Sequence, residues 1–190
     1  MRPRPRRRLT ASPSNHGSHR EHDHAAYDPM MASWGEIEAA EPDFVRELRR
    51  RLDAGVHKTI ATLRADGAPR ISGIETFHAD GELWFGSMPR ARKAADLQRD
   101  PRFALHGASA DPPGWQGDAK LAGRAVEIVD ADERLRIFRA GRGVDPPEPD
   151  SQLFRADIHE MVLVGLNEAG DMLVIEHWHE GRGLQRDERR

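Results

Sequence analysis

Between His57 and His106 the apolar and polar positions mark out three strands, a helix and a fourth strand. Thr59-Ile60-Ala61-Thr62-Leu63 is a strand pattern, and Arg64-Ala65-Asp66-Gly67 follows it as a tight turn in which Gly67 supplies a positive φ. Arg70 to His78 is the second strand, Ala79-Asp80-Gly81 the second turn, and Glu82 to Gly86 the third strand. Ser87 is then placed to cap a helix over residues 89–98, with Pro89 in its first turn and Arg92 and Lys93 in its body. Asp100-Pro101 ends that helix, and Arg102 to Ala108 is the fourth strand.

The flanking segments extend the pattern. Trp34 to Ala40 reads as a short helix opened by the capping box Ser33-x-x-Glu36, and Pro42 begins another. In the second helix Phe44, Val45, Leu48 and Leu52 form an apolar stripe that would cover an open end of the sheet, with Arg49-Arg50-Arg51 expected on the solvated face and Gly55 as the stop. Beyond the loop Asp111-Pro112-Pro113-Gly114, Ala119 to Asp130 is a long strand interrupted at Gly123, and Ala131 to Ala140 is a helix. Gly141 to Pro149 is too rich in glycine and proline to be regular. Phe154 to Leu166 and Asp171 to His179 form a hairpin around Glu168-Ala169-Gly170, while Gly141-Arg142-Gly143 and Gly181-Arg182-Gly183 read as turns. The fold class is mainly β with peripheral helices: six to seven mostly antiparallel strands, whose edges a small closed or half-open barrel hides best.

Composition narrows the classes. The chain has 190 residues, enough for one well-packed domain, and 32% of them are charged. With no cysteine there are no disulfides, thiolate metal sites or thiol nucleophile, which agrees with a cytoplasmic location. No apolar run approaches the ~20 residues of a membrane span. Residues 1–30 hold six Arg against Glu21, Asp23 and Asp28, so the basic charge gathers there and the remainder is acidic. That balance argues against nucleic acid as a partner of the domain. We expect residues 1–30 to be a disordered basic tail or an over-extended start ahead of Met30 or Met31, and residues 31–190 to be the folded domain.

The strongest candidate chemistry is cationic. Arg70 opens the second strand, Arg92 and Lys93 sit near the start of the following helix, and an antiparallel meander can bring the two places together. Two or three cations beside helix N–H groups suit a phosphate monoester, although the same residues also fit an ordinary solvated helix face. Neither G-x-G-x-x-G nor a P-loop is present. His177 and His179 share a strand face but lack a third ligand, so no metal site is assigned. Trp84 and Trp178 are candidates either to flank a planar ring or to be core, and Glu75 and Asp118 form a carboxylate pair only if the fold joins them. No residue stands out as a catalytic acid or base.

Taken together, Ala61-Thr62-Leu63, Asp66-Gly67-x-Pro69-Arg70, Asp80-Gly81-x-Leu83-Trp84-Phe85-Gly86-Ser87, Arg92-Lys93-x-x-x-Leu97-x-x-Asp100-Pro101-Arg102 and Gly123-Arg124-Ala125 resemble the pyridoxamine 5′-phosphate oxidase-like family of split β-barrels. The resemblance is good over residues 55–130 and looser in the C-terminal hairpin. It implies a homodimer holding FMN or deazaflavin F420 at the subunit interface, with the cofactor phosphate on Arg70, Arg92 and Lys93. Ile71, Ser72, Gly86 and Ser87 would line the ring, and Asp118 or Lys120 would approach it from the fifth strand. Two departures stand out. Glu75 occupies the place where the vitamin B6 oxidase has a lysine near the ring, and Glu176-His177-Trp178-His179 replaces the C-terminal substrate-phosphate motif, which disfavours pyridoxamine phosphate oxidation. The expected function is that of a flavin- or F420-dependent oxidoreductase acting on a small planar substrate. The alternative is a barrel that binds flavin or haem without turnover, with His177 or His179 as an axial ligand.

Overall fold

The computed structural model describes residues 31–146 and 148–190. Among these, Ser33 accepts a hydrogen bond from the Glu36 N–H and the Glu36 carboxylate accepts one from the Ser33 N–H, closing the capping box of α1 (Trp34–Ala40). Pro42 opens α2 (Pro42–Leu52), which buries Phe44, Val45, Leu48 and Leu52. The meander follows as β1 (His57–Leu63), β2 (Pro69–Ala79) and β3 (Glu82–Ser87). Gly67 takes φ 80°, and Asp80 and Gly81 take φ 54° and 76°, the pair of positive values that a tight two-residue hairpin turn requires.

The remaining elements are α3 (Arg92–Arg99), β4 (Arg102–His106), β5 (Asp118–Glu127), α4 (Ala131–Arg142), β6 (Gln152–Leu166), β7 (Leu173–His179) and β8 (Gly183–Arg189). The strands run β3-β2-β1-β4-β5-β6, and β6 then pairs with β3, so six antiparallel strands close a barrel. β7 and β8 extend the sheet from the second half of β6. The main core fills the barrel and lies under α1 and α2, with Phe85 packed between Phe103 and Phe154. A second cluster, including Phe77, Trp84, Ile137 and Phe138, seats α4 on the outside of β2 and β3. No helix among the described residues is long and apolar enough to cross a membrane.

Four expectations are corrected. Ser87 does not cap a helix: it continues the ladder opposite Gln152 of β6, the chain turns through Arg90 at φ 60°, and α3 starts at Arg92. The helix expected to end at Ala140 runs to Arg142, and Gly143 at φ 69° terminates it. β8 is an additional strand; its mostly polar residues show no apolar alternation because only one of its edges is paired and its far end is exposed. Finally, Arg49 and Arg51 are not a solvated face. Arg51 donates to the Val164 carbonyl at 2.7 Å, and Arg49 is drawn inward by Trp34 and His78. The expectation for residues 1–30 lies outside the described residues.

The interruption anticipated at Gly123 is a bulge, with the β5–β6 register shifting between Ala122 and Gly123. A Cβ at Gly123 would stand 1.9 Å from the Asp157 carbonyl oxygen, whereas a Cβ at Gly67 would meet nothing within 4 Å. Gly123→Ala should therefore cost about 3 kcal/mol, the upper end of the usual overpacking range, because backbone cannot step aside as a side chain can. Gly67→Ala should cost only about 1 kcal/mol of left-handed backbone strain. Urea unfolding of the two variants checks the order, and equal losses would contradict it.

Trp34, Arg49, His78 and Asp53 form a polar cluster where α1 and α2 meet β2. The Trp34 and His78 rings meet edge to face at 4.6 Å, and Arg49 donates to His78 Nδ1 at 3.1 Å. Burial, reinforced by the Arg49 charge, pushes the His78 pKa down from 6.5 to about 4. The unfolded chain thus binds a proton that the folded chain refuses, and stability should fall as pH drops from 6.5 to about 4. One such proton is worth about 1.4 kcal/mol per pH unit, and His78→Gln should remove that slope from urea midpoints measured across the interval. A slope unchanged in the variant would mean that His78 is protonated in the fold.

Candidate functional site

A cavity of about 480 Å³ opens between β2, β3, the start of α3 and the last turn of α4. Its walls are largely apolar, with Ile74 from β2, Met88 after β3, Phe138 from α4 and Val144 beyond it. Polar groups come from Glu75 and His57, from Lys93, and from Arg142 and Asp145 at the α4 end. An apolar slot of this size with a few placed charges is the usual form of a cofactor site.

The wall is shaped by close approaches of backbone. A Cβ on Gly86 would lie 3.2 Å from the Phe138 ring, so the absence of a side chain there lets α4 lay its aromatic against β3. A Cβ on Gly141 would lie 2.2 Å from Phe77, and this glycine brings the end of α4 onto β2. Arg142, the next residue, stacks its guanidinium 5.0 Å from the Phe77 ring centroid and donates from Nη1 to Glu75 Oε2 at 2.8 Å. That hydrogen bond holds the Glu75 carboxyl below its ordinary pKa. His57 Nδ1 stands 3.6 Å from the other Glu75 oxygen. The carboxylate that seemed out of place beside a ring is therefore matched by a cation from a distant helix.

At the other end, β2 and α3 do converge. Arg70 donates from Nε to Asp96 Oδ2 at 2.6 Å, and Asp96 is buried and also accepts from the Thr62 hydroxyl and from Arg99. Burial alone would raise the Asp96 pKa, but the donors from Arg70, Thr62 and Arg99 outweigh it and lower it. Lys93 donates from Nζ to the Gly73 carbonyl at 2.6 Å, and burial lowers its pKa. Arg92 is exposed and has no hydrogen bond or ion pair among the described residues. α3 begins with no side-chain cap beside Lys93, and of its first-turn N–H groups that of Ala94 turns back to the Ala91 carbonyl at 3.1 Å.

The eight residues singled out from the sequence fall into several places. Gly86, Ser87 and Lys93 line the cavity, while Arg70 and Arg92 stand on the adjoining β2–α3 surface. Ile71, which is 68% exposed, and Lys120 line a second depression of about 390 Å³ across β1, β4, β5 and β6. Ser72 is half-buried and lines neither. Asp118 accepts from Ser109 Oγ at 2.7 Å and from Trp115 Nε1 at 3.1 Å, holding the loop ahead of β5, and it shares no partner with Glu75.

Trp84 and Trp178 are core residues, and Phe85 is fully buried in this single chain. His177 and His179 lie on β7 and line neither depression. Among the described residues no cluster of three or more His, Cys, Asp or Glu is placed to hold a metal ion. Sequence reasoning missed Phe138, Arg142 and Val144. Phe138 falls in the helix read over Ala131 to Ala140 with nothing to mark it as facing a site, and nothing local to residues 138–144 signals that α4 ends at β2.

The donor set and the slot fit a phosphorylated ring cofactor: Lys93 and the uncapped start of α3 at one end, with Arg70 and Arg92 on the adjoining surface, and apolar and aromatic walls along the rest. The pyridoxamine 5′-phosphate oxidase family profile matches residues 44–165, which is more than half of the chain. No curated protein sequence matches. Among solved structures, PhzG from Burkholderia lata, in complex with tetrahydrophenazine-1-carboxylic acid, is 14% identical with a TM-score of 0.57, covering 82% of this chain and 92% of its own. A pyridoxamine 5′-phosphate oxidase-related, FMN-binding protein from Nostoc punctiforme is 14% identical with a TM-score of 0.53, covering 79% and 96%. A protein of the pyridoxinephosphate oxidase family from Clostridium acetobutylicum, related to general stress protein 26, is also 14% identical, with a TM-score of 0.53 and coverage of 66% and 90%. At these identities the likeness is one of fold, the split β-barrel; with the profile spanning the barrel from α2 to β6, the chain belongs to the pyridoxamine 5′-phosphate oxidase family.

Proposed function

We propose that the cavity binds FMN or deazaflavin F420 and that the protein is an oxidoreductase acting on a small, planar substrate. The observation that carries this is the meeting of Lys93 and the uncapped start of α3 at one end of an apolar slot, with Arg92 exposed on the same helix, in a chain of this family. The FMN-binding description of the Nostoc relative and the fused-ring ligand of the Burkholderia one support it.

In this reading the bound cofactor supplies the exchange of electrons with the substrate, and the chain supplies everything around it. Lys93 and Arg92 hold the phosphate, with Arg70 turning its remaining guanidinium donors toward it from β2. Gly86 and Ser87 form one wall. Phe138, packed against Gly86, and the more exposed Val144 and Met88 offer apolar surface to a planar substrate. No side chain is assigned as general acid or base. A haem-binding role draws no support from His177 or His179, since neither reaches the cavity. Pyridoxamine phosphate oxidation is not favoured, because Glu176-His177-Trp178-His179 is an ordinary β7 segment whose Trp178 is core.

A homodimer would complete the site. Ile71 and Lys120 are on a different depression from Lys93, so within one chain they do not share a wall with it. Seated on a second copy, that exposed face would bring them to the partner's cavity. Sedimentation should show a dimer at micromolar concentration, and Ile71→Asp should yield a monomer with weakened cofactor binding. A monomeric wild type that binds cofactor tightly would refute the arrangement.

The phosphate anchor has its own test. Lys93→Ala and Arg92→Ala should each weaken FMN or F420 binding by about 1.5–3 kcal/mol, the worth of a charge-assisted hydrogen bond. Riboflavin, which lacks the phosphate, should bind the wild type poorly and be nearly indifferent to both substitutions. Fluorescence titration reads all of these. Equal affinity for riboflavin and FMN would leave α3 as a merely solvated helix.

A further inference from the structure

Glu75 and Arg142 are the only directly hydrogen-bonded acid–base pair whose two members both line the cavity among the described residues. They come from β2 and α4, 67 positions apart, and both are partly shielded, with 39% and 31% of their side chains exposed. Their placement is set by packing. Gly141 presses the end of α4 against Phe77, the Arg142 guanidinium lies over the same ring, and Gly143 stops the helix immediately afterwards. Two opposite charges are thus held at set positions in the wall of a slot with mostly apolar lining, where charges are less screened than on an open surface.

We propose that the Glu75–Arg142 pair sets the redox balance of the ring bound in this cavity, Arg142 favouring the reduced form and Glu75 opposing it. The proposal rests on the flavin-type reading above. The physical basis is charge: uptake of two electrons and one proton leaves a flavin ring one unit more negative than before. A fixed cation in the wall stabilises that form relative to the oxidised one, and a fixed carboxylate does the reverse. With both present the effects largely offset each other. Glu75 acts as a positioning residue as well, because its carboxylate holds the Arg142 guanidinium in the wall.

The test is an anaerobic titration of the FMN-loaded protein with dithionite, repeated with F420 and its own reductant if FMN is not retained. It measures affinity for the oxidised and the reduced cofactor separately, alongside the thermal midpoint of each variant. Glu75→Gln should shift the affinity ratio toward the reduced form by about tenfold, equivalent to about 30 mV upward for a two-electron couple. Arg142→Gln should shift it the other way by a similar factor, Arg142→Lys should leave it near the wild-type value, and the double variant Glu75→Gln, Arg142→Gln should return to within about twofold of wild type. A ratio that stays fixed in every variant while affinity for both forms and the thermal midpoint fall together would overturn the proposal, leaving the pair as a staple between α4 and β2. A wild type that binds neither FMN nor F420 would instead overturn the cofactor reading, and this proposal with it.

Discussion

The pairing of β3 with β6 is the contact on which the architecture hinges. It turns an open sheet into a barrel by matching Trp84 to Arg155, Phe85 to Phe154, Gly86 to Leu153 and Ser87 to Gln152. The start of β6 is then flanked by strands on both sides, since the same segment also pairs with β5. Closure ties β3 to β6 and seals the aromatic centre of Phe85, Phe103 and Phe154 from water, while among the described residues the outer edge of β2 from Pro69 to Glu75 has no strand partner, because β2 meets β3 only over Thr76–Ala79. It also draws the connection between β5 and β6, which contains α4, across the outside of β2 and β3.

The cavity is a by-product of that closure. Its strand wall is the same Gly86–Ser87 segment that zips to β6, and its helical wall is the α4 that the β5–β6 connection carries. Two glycines permit the fit, Gly86 under Phe138 and Gly141 under Phe77. Because α4 is seated by apolar contacts of Ile137 and Phe138, its charged end is delivered to β2 with little freedom, and Arg142 finds Glu75 there. The aromatic surface and the charge balance of the slot thus arise from one helix packed in one way.

Several charged groups work in partly shielded places. Arg70 with Asp96, Arg49 with His78, Arg51 with the Val164 carbonyl and Lys58 with Asp53 each tie one element to another. Such pairs are poor sources of net stability, since desolvation offsets much of their attraction, but they are costly to break once made. They fix how α2 and α3 sit on the barrel. In the β2–α3 corner this leaves Arg92 outward-facing and Lys93 anchored at the edge of the cavity.

Features encoded by short-range chemistry could be read directly from the residue order. The capping box at Ser33, the positive-φ turns at Gly67 and at Asp80-Gly81, the break at Gly123 and the strand alternation between them depend on residues a few positions apart, and all are found as expected. The approach of Lys93 to β2 was legible for the same reason: a three-strand meander leaves a following helix few places to go. Tertiary structure decided the rest. Ser87 is a strand residue because β6, distant in sequence, claims its backbone; β8 is a strand because β7 offers an edge; Trp84 and Phe85 are buried by closure and by α4. Phe138 and Arg142 belong to the site only because α4 packs against β2 and β3, a contact between segments some sixty residues apart that no local pattern specifies. Local propensity chooses the elements, but pairing of distant backbone and packing of distant side chains choose which faces meet.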